Sequence, residues 1–250
     1  MSQTSSPLIL PDWVAPGTVG AFVTTRASGP AGGRFNAFNT ADHVGDDPVA
    51  VAQARQELSA RIGDRRPLLW LDQVHGAGVQ QHYQTPPPRA DASVACDQRY
   101  ACVVQSADCL PVLFCDRRGT RVAAAHAGWR GLAGGVLEAT VAALGCPADE
   151  VLVWLGPAIS NRQYEVGGEV FEAFVSAQPA AAAAFEASPY RLGHFMCDLY
   201  RLARLRLEAL GITRISGGHF CTASDARFYS FRRDNGDTGR MASVIWLRQG

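Results

Sequence analysis

Two short apolar runs near the middle of the chain constrain its fold more than any other feature. They occupy residues 110–115 and 121–125, and a polar turn at residues 117–119 separates them. Each run has the length of a strand, so the pattern predicts two neighbouring strands of one sheet. Cys109 precedes the first run and His126 follows the second. The predicted sheet therefore holds a thiol and an imidazole at the ends of adjacent strands.

The rest of the chain mixes predicted strands and helices without a regular βαβ order. Further strands are predicted near residues 20–25, 68–71, 78–83, 101–105, 151–155, 212–216 and 242–247. Helices are predicted near residues 132–144, 168–177 and 198–210. Another helix is predicted to start at Asp47-Pro48, with the aspartate as its N-cap. This order favours an α+β fold with a mixed sheet over a doubly wound fold.

Charge and cysteine content argue against several classes of protein. The chain has 23 basic and 23 acidic residues, and a net charge of zero does not favour a general binder of nucleic acid or membrane surfaces. It shows no secretion signal and no apolar run of about 18 residues, the length that a membrane span needs. Seven cysteines without a CxxC pair are typical of reduced thiols, so we expect a cytoplasmic protein.

A third polar side chain extends the pair of Cys109 and His126. His75 also follows an apolar run and precedes a glycine. Three protein ligands leave zinc one open position, which is the usual arrangement of a catalytic zinc site. The spacing matches no standard zinc motif. From the residues alone, a buried cysteine with two hydrogen-bonded histidines is an equal alternative.

The same side chains also suit catalysis without a metal. Cys109 could be a nucleophile with His126 as its base, and Asp108 could orient one of them. The alternative for Asp108 is an ordinary carboxylate at the end of a strand.

The segment at residues 221–240 combines aromatic, hydroxyl and arginine side chains. Such a loop could stack a base and bind phosphate or ribose oxygens. Alternatively, it is a surface loop that Phe228 and Phe231 anchor to the core. We expect a mixture, in which the aromatic rings pack and one or two arginines face a pocket.

Motifs spread over the chain give a more specific indication. They are NTADHVGDD at 39–47, QVHG at 73–76, ADCLPVL at 107–113, HAGWRG at 126–131, GPAIS at 156–160, YEVG at 164–167, CDLYRLA at 197–203, CT at 221–222 and YSFRRDNGDTGR at 229–240. Together they resemble the YfiH-like family, also called the multicopper polyphenol oxidase or laccase-domain family. The resemblance covers about residues 20–247, and HAGWRG with an upstream ADC is its most specific part.

The resemblance implies a fold and a metal site. The fold is a single catalytic domain over residues 1–250, an α/β/β/α layered sandwich similar to the catalytic domain of cytotoxic necrotizing factor toxins. The metal is Zn²⁺, with Cu²⁺ as a possible substitute, held by His75, Cys109 and His126. Cys109, His126 and Asp108 are then the candidate catalytic residues.

The resemblance also implies purine nucleoside chemistry. The reactions are phosphorolysis of adenosine, inosine and S-methyl-5′-thioadenosine, and deamination of adenosine, for which the metal site would activate water. The partners are a small-molecule purine nucleoside and phosphate, without nucleic acid or membrane, and the chain is expected to be a monomer or a weak homodimer. Some members of the family are linked instead to the correction of peptidoglycan precursors.

Two kinds of side chain are expected to contact a nucleoside and phosphate. Trp129, Phe228 and Tyr229 are candidates to stack on the base. The candidates for phosphate are Arg130, Arg232, Arg233 and Arg240, with Arg26 and Arg55 as weaker ones. The full substrate-binding set is Asn39, Arg55, Trp129, Arg130, Ser230, Arg232 and Arg233.

Three other functions stay open at this point. One is a metal-free cysteine hydrolase or amidase that uses Cys109 and His126 on a peptidoglycan precursor. Another is a polyphenol oxidase side activity with bound copper, because Cu²⁺ outcompetes Zn²⁺ at most such sites. The third is a module that binds a nucleotide without turnover. Six histidines are too few for a multicopper oxidase.

Overall fold

The computed structural model describes residues 8–29, 34–35, 38–63 and 66–249. The strands in these residues are β1 (Leu8–Ile9), β2 (Val19–Thr24), β3 (Leu68–Leu69), β4 (Val79–Gln80), β5 (Ala92–Ala95), β6 (Ala101–Ser106), β7 (Leu110–Asp116), β8 (Val122–Ala127), β9 (Val151–Leu155), β10 (Glu165–Gly167), β11 (Phe185–Ala187), β12 (His194–Cys197), β13 (Ile215–Gly217) and β14 (Met241–Leu247). The α-helices are α1 (Pro48–Ile62), α2 (Trp129–Ala133), α3 (Val136–Leu144), α4 (Gly168–Val175) and α5 (Leu199–Ala209).

The strands form two large mixed sheets and one small sheet. The first large sheet has the order β1-β2-β14-β6-β3, in which β14 is antiparallel to both neighbours and β3 is parallel to β6. The second has the order β13-β9-β7-β8-β5-β4, with β7 antiparallel to β8 and β9. The small sheet has the order β10-β12-β11. The prediction of mixed sheets combined with helices is confirmed.

Alternation along β14 explains why the first sheet is covered on both faces. Val244 and Trp246 pack in one apolar cluster with Leu58 of α1. Ile245, between them, packs in a different cluster with Leu113 of β7. Because successive side chains of a strand point to opposite faces, α1 lies on one face of this sheet and the second sheet lies on the other.

The second sheet uses its other face to bind the remaining helices. Phe114 of β7 packs there in a cluster with Leu137 of α3, Phe174 of α4 and Leu207 of α5. The described residues are thus layered in the order helix, sheet, sheet, helix. The similarity to cytotoxic necrotizing factor toxins stays a prediction. None of the helices in the described ranges combines the length and the apolar character that crossing a bilayer requires.

The prediction of one long helix over residues 132–144 is wrong. The structure has two helices instead, α2 and α3, with Gly134 and Gly135 between them. Gly135 has a φ of 89°, a left-handed conformation that ends a regular helix and that glycine adopts without steric cost. α2 starts at Trp129, with only Gly128 between it and the end of β8, so Trp129 and Arg130 follow closely after His126 in the chain.

Five short strands were not predicted, namely β1, β5, β10, β11 and β12. Each has two to four residues, too few for an alternating pattern to be visible. Of these, β5 matters for function, because it pairs with β8 and begins directly after the buried Asp91.

Candidate metal centre

The pairing of β7 with β8 brings Cys109 and His126 to the same place. In this antiparallel pair Leu110 lies opposite Ala127, and Pro111 lies opposite His126. Cys109 directly precedes β7, so its side chain lies at the end of the pair where His126 lies. His75 comes from the loop between β3 and β4 and completes the group.

The predicted trio converges in space. The Sγ atom of Cys109 lies 3.9 Å from Nε2 of His75. The rings of His75 and His126 have centroids 4.9 Å apart and meet edge to face at 78°. One ligand atom of each of the three residues lies within 4.8 Å of the others. Within the described ranges, this is the one group of three or more histidine, cysteine or acidic side chains with that geometry.

The donor set fits one soft or borderline metal ion. Two imidazole nitrogens and a thiolate are ligands that zinc accepts in tetrahedral sites, with bonds of about 2.0–2.3 Å. Copper accepts the same donors. His126 is buried, Cys109 is half-buried and His75 is exposed, so the group lies at a surface that a small molecule can reach.

Asp91, which no motif in the sequence marks as a site residue, contacts the ring of His126 and the backbone of His75. Its Oδ1 lies 2.9 Å from Nδ1 of His126. Its carboxylate also accepts hydrogen bonds from the amides of Val74, His75 and Gly76, at 3.2, 3.0 and 2.7 Å. The only signal in the sequence is an aspartate directly before a short segment, and the four residues of β5 are too few to show the pattern of a strand.

Electrostatics favour a charged pair of Cys109 and His126 when no metal is bound. Burial raises the pKa of the Cys109 thiol, but the imidazoles of His126 and His75 outweigh it and lower that pKa to about 6. Burial lowers the pKa of His126, but Cys109 and Asp91 outweigh it and raise that pKa to about 9. Between these values the thiolate faces an imidazolium.

Glycines of the HAGWRG motif allow close packing around the ligands. A Cβ atom on Gly128 would lie 2.8 Å from Sγ of Cys109 and 3.1 Å from Cδ2 of His75. A Cβ on Gly131 would lie 3.0 Å from the carbonyl oxygen of Gly76. The backbone at Gly128 therefore lies against the side chains of Cys109 and His75, and the backbone at Gly131 lies against the turn that carries His75.

The trio lies in the wall of a cavity of about 820 Å³. Several of the predicted residues line the same cavity, namely Arg55, Asp108, Trp129, Arg130, Arg232 and Arg240. Asn39, Ser230, Arg233 and Arg26 are not in its wall. The structure therefore brings together about half of the predicted substrate-binding set.

Three of the four arginines in the cavity wall have no acidic partner among the described residues. Arg55 forms an ion pair with Asp42 at 3.1 Å, whereas Arg130, Arg232 and Arg240 form none. Burial lowers the pKa of Arg240, and its Nη1 donates only to the carbonyls of residues 238 and 239. A partly desolvated cation that forms no direct ion pair favours an anionic ligand.

Asn39, Ser230 and Arg233 shape the loops behind the cavity. Asn39 is buried, and its Oδ1 accepts a hydrogen bond from the backbone amide of Arg240 at 2.9 Å. The Ser230 hydroxyl accepts one from the amide of Arg233. The Arg233 guanidinium pairs with Asp234 at 2.8 Å and also donates to the carbonyl of Phe228.

The aromatic rings of the C-terminal loop divide between the core and the cavity, so the expected packing holds for Phe228 and Tyr229, but their candidate role in stacking on a base does not. Phe228 and Tyr229 are 0% and 1% exposed, so neither ring faces the cavity. The expectation that Phe231 anchors the loop to the core is wrong, because Phe231 is 53% exposed and lines the cavity. Arg240 lies over its ring, with Cζ 5.8 Å from the ring centroid.

Asp108 connects the trio to the C-terminal loop. Its backbone has a φ of 92°, which is rare for a residue with a side chain. One carboxylate oxygen accepts from the Thr222 hydroxyl at 2.5 Å, and the other accepts from the amide of Arg232 at 2.7 Å. These bonds fix Arg232 beside the cavity.

Comparisons with known proteins show the family of the chain. The family model described as multi-copper polyphenol oxidoreductase laccase matches residues 20–248. A purine nucleoside phosphorylase of Pseudomonas aeruginosa is 56% identical over 243 residues, which are 96% of this chain and 98% of that protein. The purine nucleoside phosphorylase YfiH of Escherichia coli is 46% identical, over 97% of this chain and 99% of that protein.

Solved structures are similar over almost the whole chain. A crystal structure of a Neisseria meningitidis protein superposes with a TM-score of 0.92 and 47% identity, over 97% of this chain and 100% of that one. A hypothetical protein YfiH of Bacillus licheniformis superposes with a TM-score of 0.87 and 26% identity, over 98% of each chain.

A methyl group at Gly128 should disrupt the trio. In Gly128→Ala the new Cβ would displace Sγ of Cys109, so we expect zinc affinity to fall by about 10-fold or more. Chelator competition on the purified protein measures this affinity. Gly17→Ala is the matched control, because an added Cβ there meets no atom within 4 Å. Equal affinities of the two variants would contradict this account of Gly128.

Cys109 should become reactive at a lower pH than an ordinary cysteine does. After removal of metal with a chelator, we expect its alkylation rate to rise as pH increases through about 6. An ordinary cysteine has a pKa of about 8.5, and the thiolate is the reactive form. Mass spectrometry of the peptide that contains Cys109 measures the rate. In His126→Ala the midpoint should move upward, and an unchanged midpoint would contradict the assigned cause.

Proposed function

Because the chain belongs to the multi-copper polyphenol oxidoreductase laccase family, we propose that it acts within that family as a cytoplasmic, zinc-dependent purine nucleoside phosphorylase. One observation carries this proposal: the trio of His75, Cys109 and His126 shares a cavity of about 820 Å³ with three arginines that lack acidic partners in the described residues. The volume is in the range of cavities that enclose small ligands. The names of the relatives supply the substrate class.

The metal centre supports a single-ion enzyme. The family description refers to several coppers, but one His/Cys cluster is found in the described residues. Three protein donors suit a zinc ion with one open position, where it would supply Lewis acidity. Copper bound to the same donors is the proposed source of any polyphenol oxidase side activity.

The arginines are proposed to bind the attacking phosphate. In phosphorolysis a phosphate oxygen forms a bond to C1′ of the ribose while the C1′–N9 bond breaks, and the electron pair of that bond leaves with the purine, which takes up a proton. Arg130, Arg232 and Arg240 would offset the charge of the phosphate dianion and orient its oxygens. Arg240 is the strongest candidate, since burial strengthens its attraction to an anion.

The base is proposed to stack on Phe231 or Trp129. Both rings line the cavity, and Phe231 has a large exposed surface. Phe228 and Tyr229, which the sequence suggested for this role, are buried in the core. A purine ring on Phe231 would have Arg240 beside it, which favours a base and an anion bound together.

The proposal extends to further substrates that the family resemblance implies. These are adenosine and S-methyl-5′-thioadenosine for phosphorolysis, and adenosine for deamination, in which water adds at C6 and ammonia leaves. The same cavity would hold each nucleoside. Product analysis distinguishes the reactions, because phosphorolysis releases a free base and deamination releases ammonia.

A second candidate function rests on the electrostatics of Cys109. A thiol whose pKa is about 6 beside an imidazole whose pKa is about 9 suits a cysteine nucleophile of a metal-free hydrolase or amidase. Metal content separates the two functions. About one zinc per chain, with protection of Cys109 from alkylation, supports the phosphorylase. A metal-free amidase that alkylation inactivates supports the alternative.

Removal of a metal ligand should abolish phosphorolysis. We expect zinc-loaded protein to release hypoxanthine from inosine only when phosphate is present. His75→Ala and Cys109→Ala should lower this rate by at least about 100-fold, because each removes one of three ligands. His82→Ala and Cys96→Ala replace exposed residues outside the cavity wall and should leave the rate unchanged. Unchanged rates in both ligand variants would contradict the mechanism.

Loss of the Arg240 charge should weaken phosphate binding selectively. In Arg240→Gln we expect the KM for phosphate to rise on the order of 10- to 100-fold, the effect of one lost charge-assisted hydrogen bond. The KM for inosine should change less. Arg227→Gln is the matched control, because Arg227 belongs to the same loop but pairs with Asp225 at 2.6 Å. Steady-state kinetics with each substrate varied in turn would show the difference, and equal effects of both variants would contradict it.

A further inference from the structure

We propose that Asp91 is a positioning residue of the metal centre. Its single carboxylate fixes the orientation of both histidine ligands, His75 and His126. The inference rests on the metal centre of the proposed function. Asp91 has no exposed surface and does not line the cavity, so it acts on a substrate only through the residues it holds.

The first contact determines which nitrogen of His126 is free to bind a metal. Oδ1 of Asp91 lies 2.9 Å from Nδ1 of His126, and both side chains are buried. A carboxylate only accepts hydrogen bonds, so Nδ1 must carry the proton. Nε2 is then the ring nitrogen that keeps a lone pair for a metal. The amide of His126 also donates to the backbone carbonyl of Asp91, at 2.7 Å, which fixes the two residues side by side.

The second set of contacts fixes the turn that carries His75. Three successive amides, those of Val74, His75 and Gly76, donate to the Asp91 carboxylate at 3.2, 3.0 and 2.7 Å. The φ of His75 is 59°, a left-handed conformation that residues with side chains rarely adopt. Three donors on one buried carboxylate stabilise this turn and direct the His75 side chain toward Cys109.

The carboxylate therefore couples two ligands that are far apart in the sequence. Oδ1 accepts hydrogen bonds from the His126 ring and the His75 amide, while Oδ2 accepts them from the amides on either side of His75. An asparagine has nearly the same shape, but its NH₂ group would place a donor where the carboxylate offers an acceptor. Asp91→Asn thus changes the hydrogen bonding at this position while leaving its volume nearly unchanged.

Asp116 offers a matched control, because it lies at the opposite end of the β7–β8 pair from the trio. Asp116 is 3% exposed, and its carboxylate accepts from the amides of Thr120 and Arg121 at 2.7 and 2.9 Å. It also accepts from the hydroxyl of Thr120 at 2.7 Å. Asp116→Asn therefore removes a similar buried carboxylate, in a turn that holds no member of the trio.

The test compares the zinc affinity of the full-length wild-type protein, Asp91→Asn and Asp116→Asn by competition with a chromophoric chelator. Asp91→Asn should weaken zinc binding about 10- to 100-fold, whereas Asp116→Asn should stay within about threefold of wild type. Unaltered affinity in Asp91→Asn overturns the inference. An equal loss in both variants also overturns it, because a general effect on the fold would then explain the loss.

A measurement on the wild-type protein decides the matter even if Asp91→Asn does not fold. Long-range ¹H–¹⁵N correlation spectra of the zinc-loaded protein report the tautomer of each histidine. For His126 we expect a proton on Nδ1 and a metal-bound Nε2, and the opposite tautomer overturns the inference. Wild-type protein without zinc affinity would contradict the proposed metal centre itself, whereas normal zinc binding with an unaffected Asp91→Asn variant contradicts the role of Asp91 alone.

Discussion

The antiparallel pairing of β7 with β8 is the interaction on which the rest of the structure depends. Both strands are buried along their whole length. Phe114 lies opposite Ala123, and both pack toward the helices, whereas Leu113 lies opposite Ala124, and both pack toward the other sheet. A slip of one residue would turn every side chain of a strand to the opposite core and would separate Cys109 from His126. The register that builds the two cores therefore also builds the site.

Around this rigid pair the site uses backbone conformations that are costly in isolation. His75 and Asp108 have φ values of 59° and 92° without being glycines. Such conformations persist where the surrounding structure determines them, and they concentrate at functional sites. Here the bonds are visible: the Asp91 carboxylate holds the turn of His75, and the Asp108 carboxylate holds Thr222 and Arg232. Two buried aspartates thus link the trio to the loops that carry the rest of the cavity wall.

Local patterns predicted much of the fold, and their failures have local causes. The N-cap of α1 at Asp47 could be predicted from the sequence, because an N-cap depends on residues that are neighbours in the chain. The break in the helix predicted over residues 132–144 could not be predicted in this way. The apolar pattern continues through two glycines, and only the structure shows that one of them adopts a left-handed conformation. In the C-terminal loop no periodicity distinguishes Phe228 from Phe231, yet one is buried and the other lines the cavity. Likewise, Arg232 and Arg233 are adjacent, and only Arg232 reaches the cavity.

The sequence by itself determined the strand pair, the chemical types of the three donors and the family that the motifs resemble. These depend on the short-range alternation of apolar and polar residues, or on motifs that can be recognised in the sequence itself. Only the tertiary structure decided that Asp91 holds both histidines, that Arg240 forms no ion pair within the described residues, and that Phe231 rather than Phe228 lines the cavity. The physical reason is contact between distant residues: Asp91 and His126 are 35 positions apart, and Asp108 and Arg232 are 124 apart. No local sequence pattern predicts contacts between residues so far apart in the chain, because these contacts form only when the layers of the fold pack together.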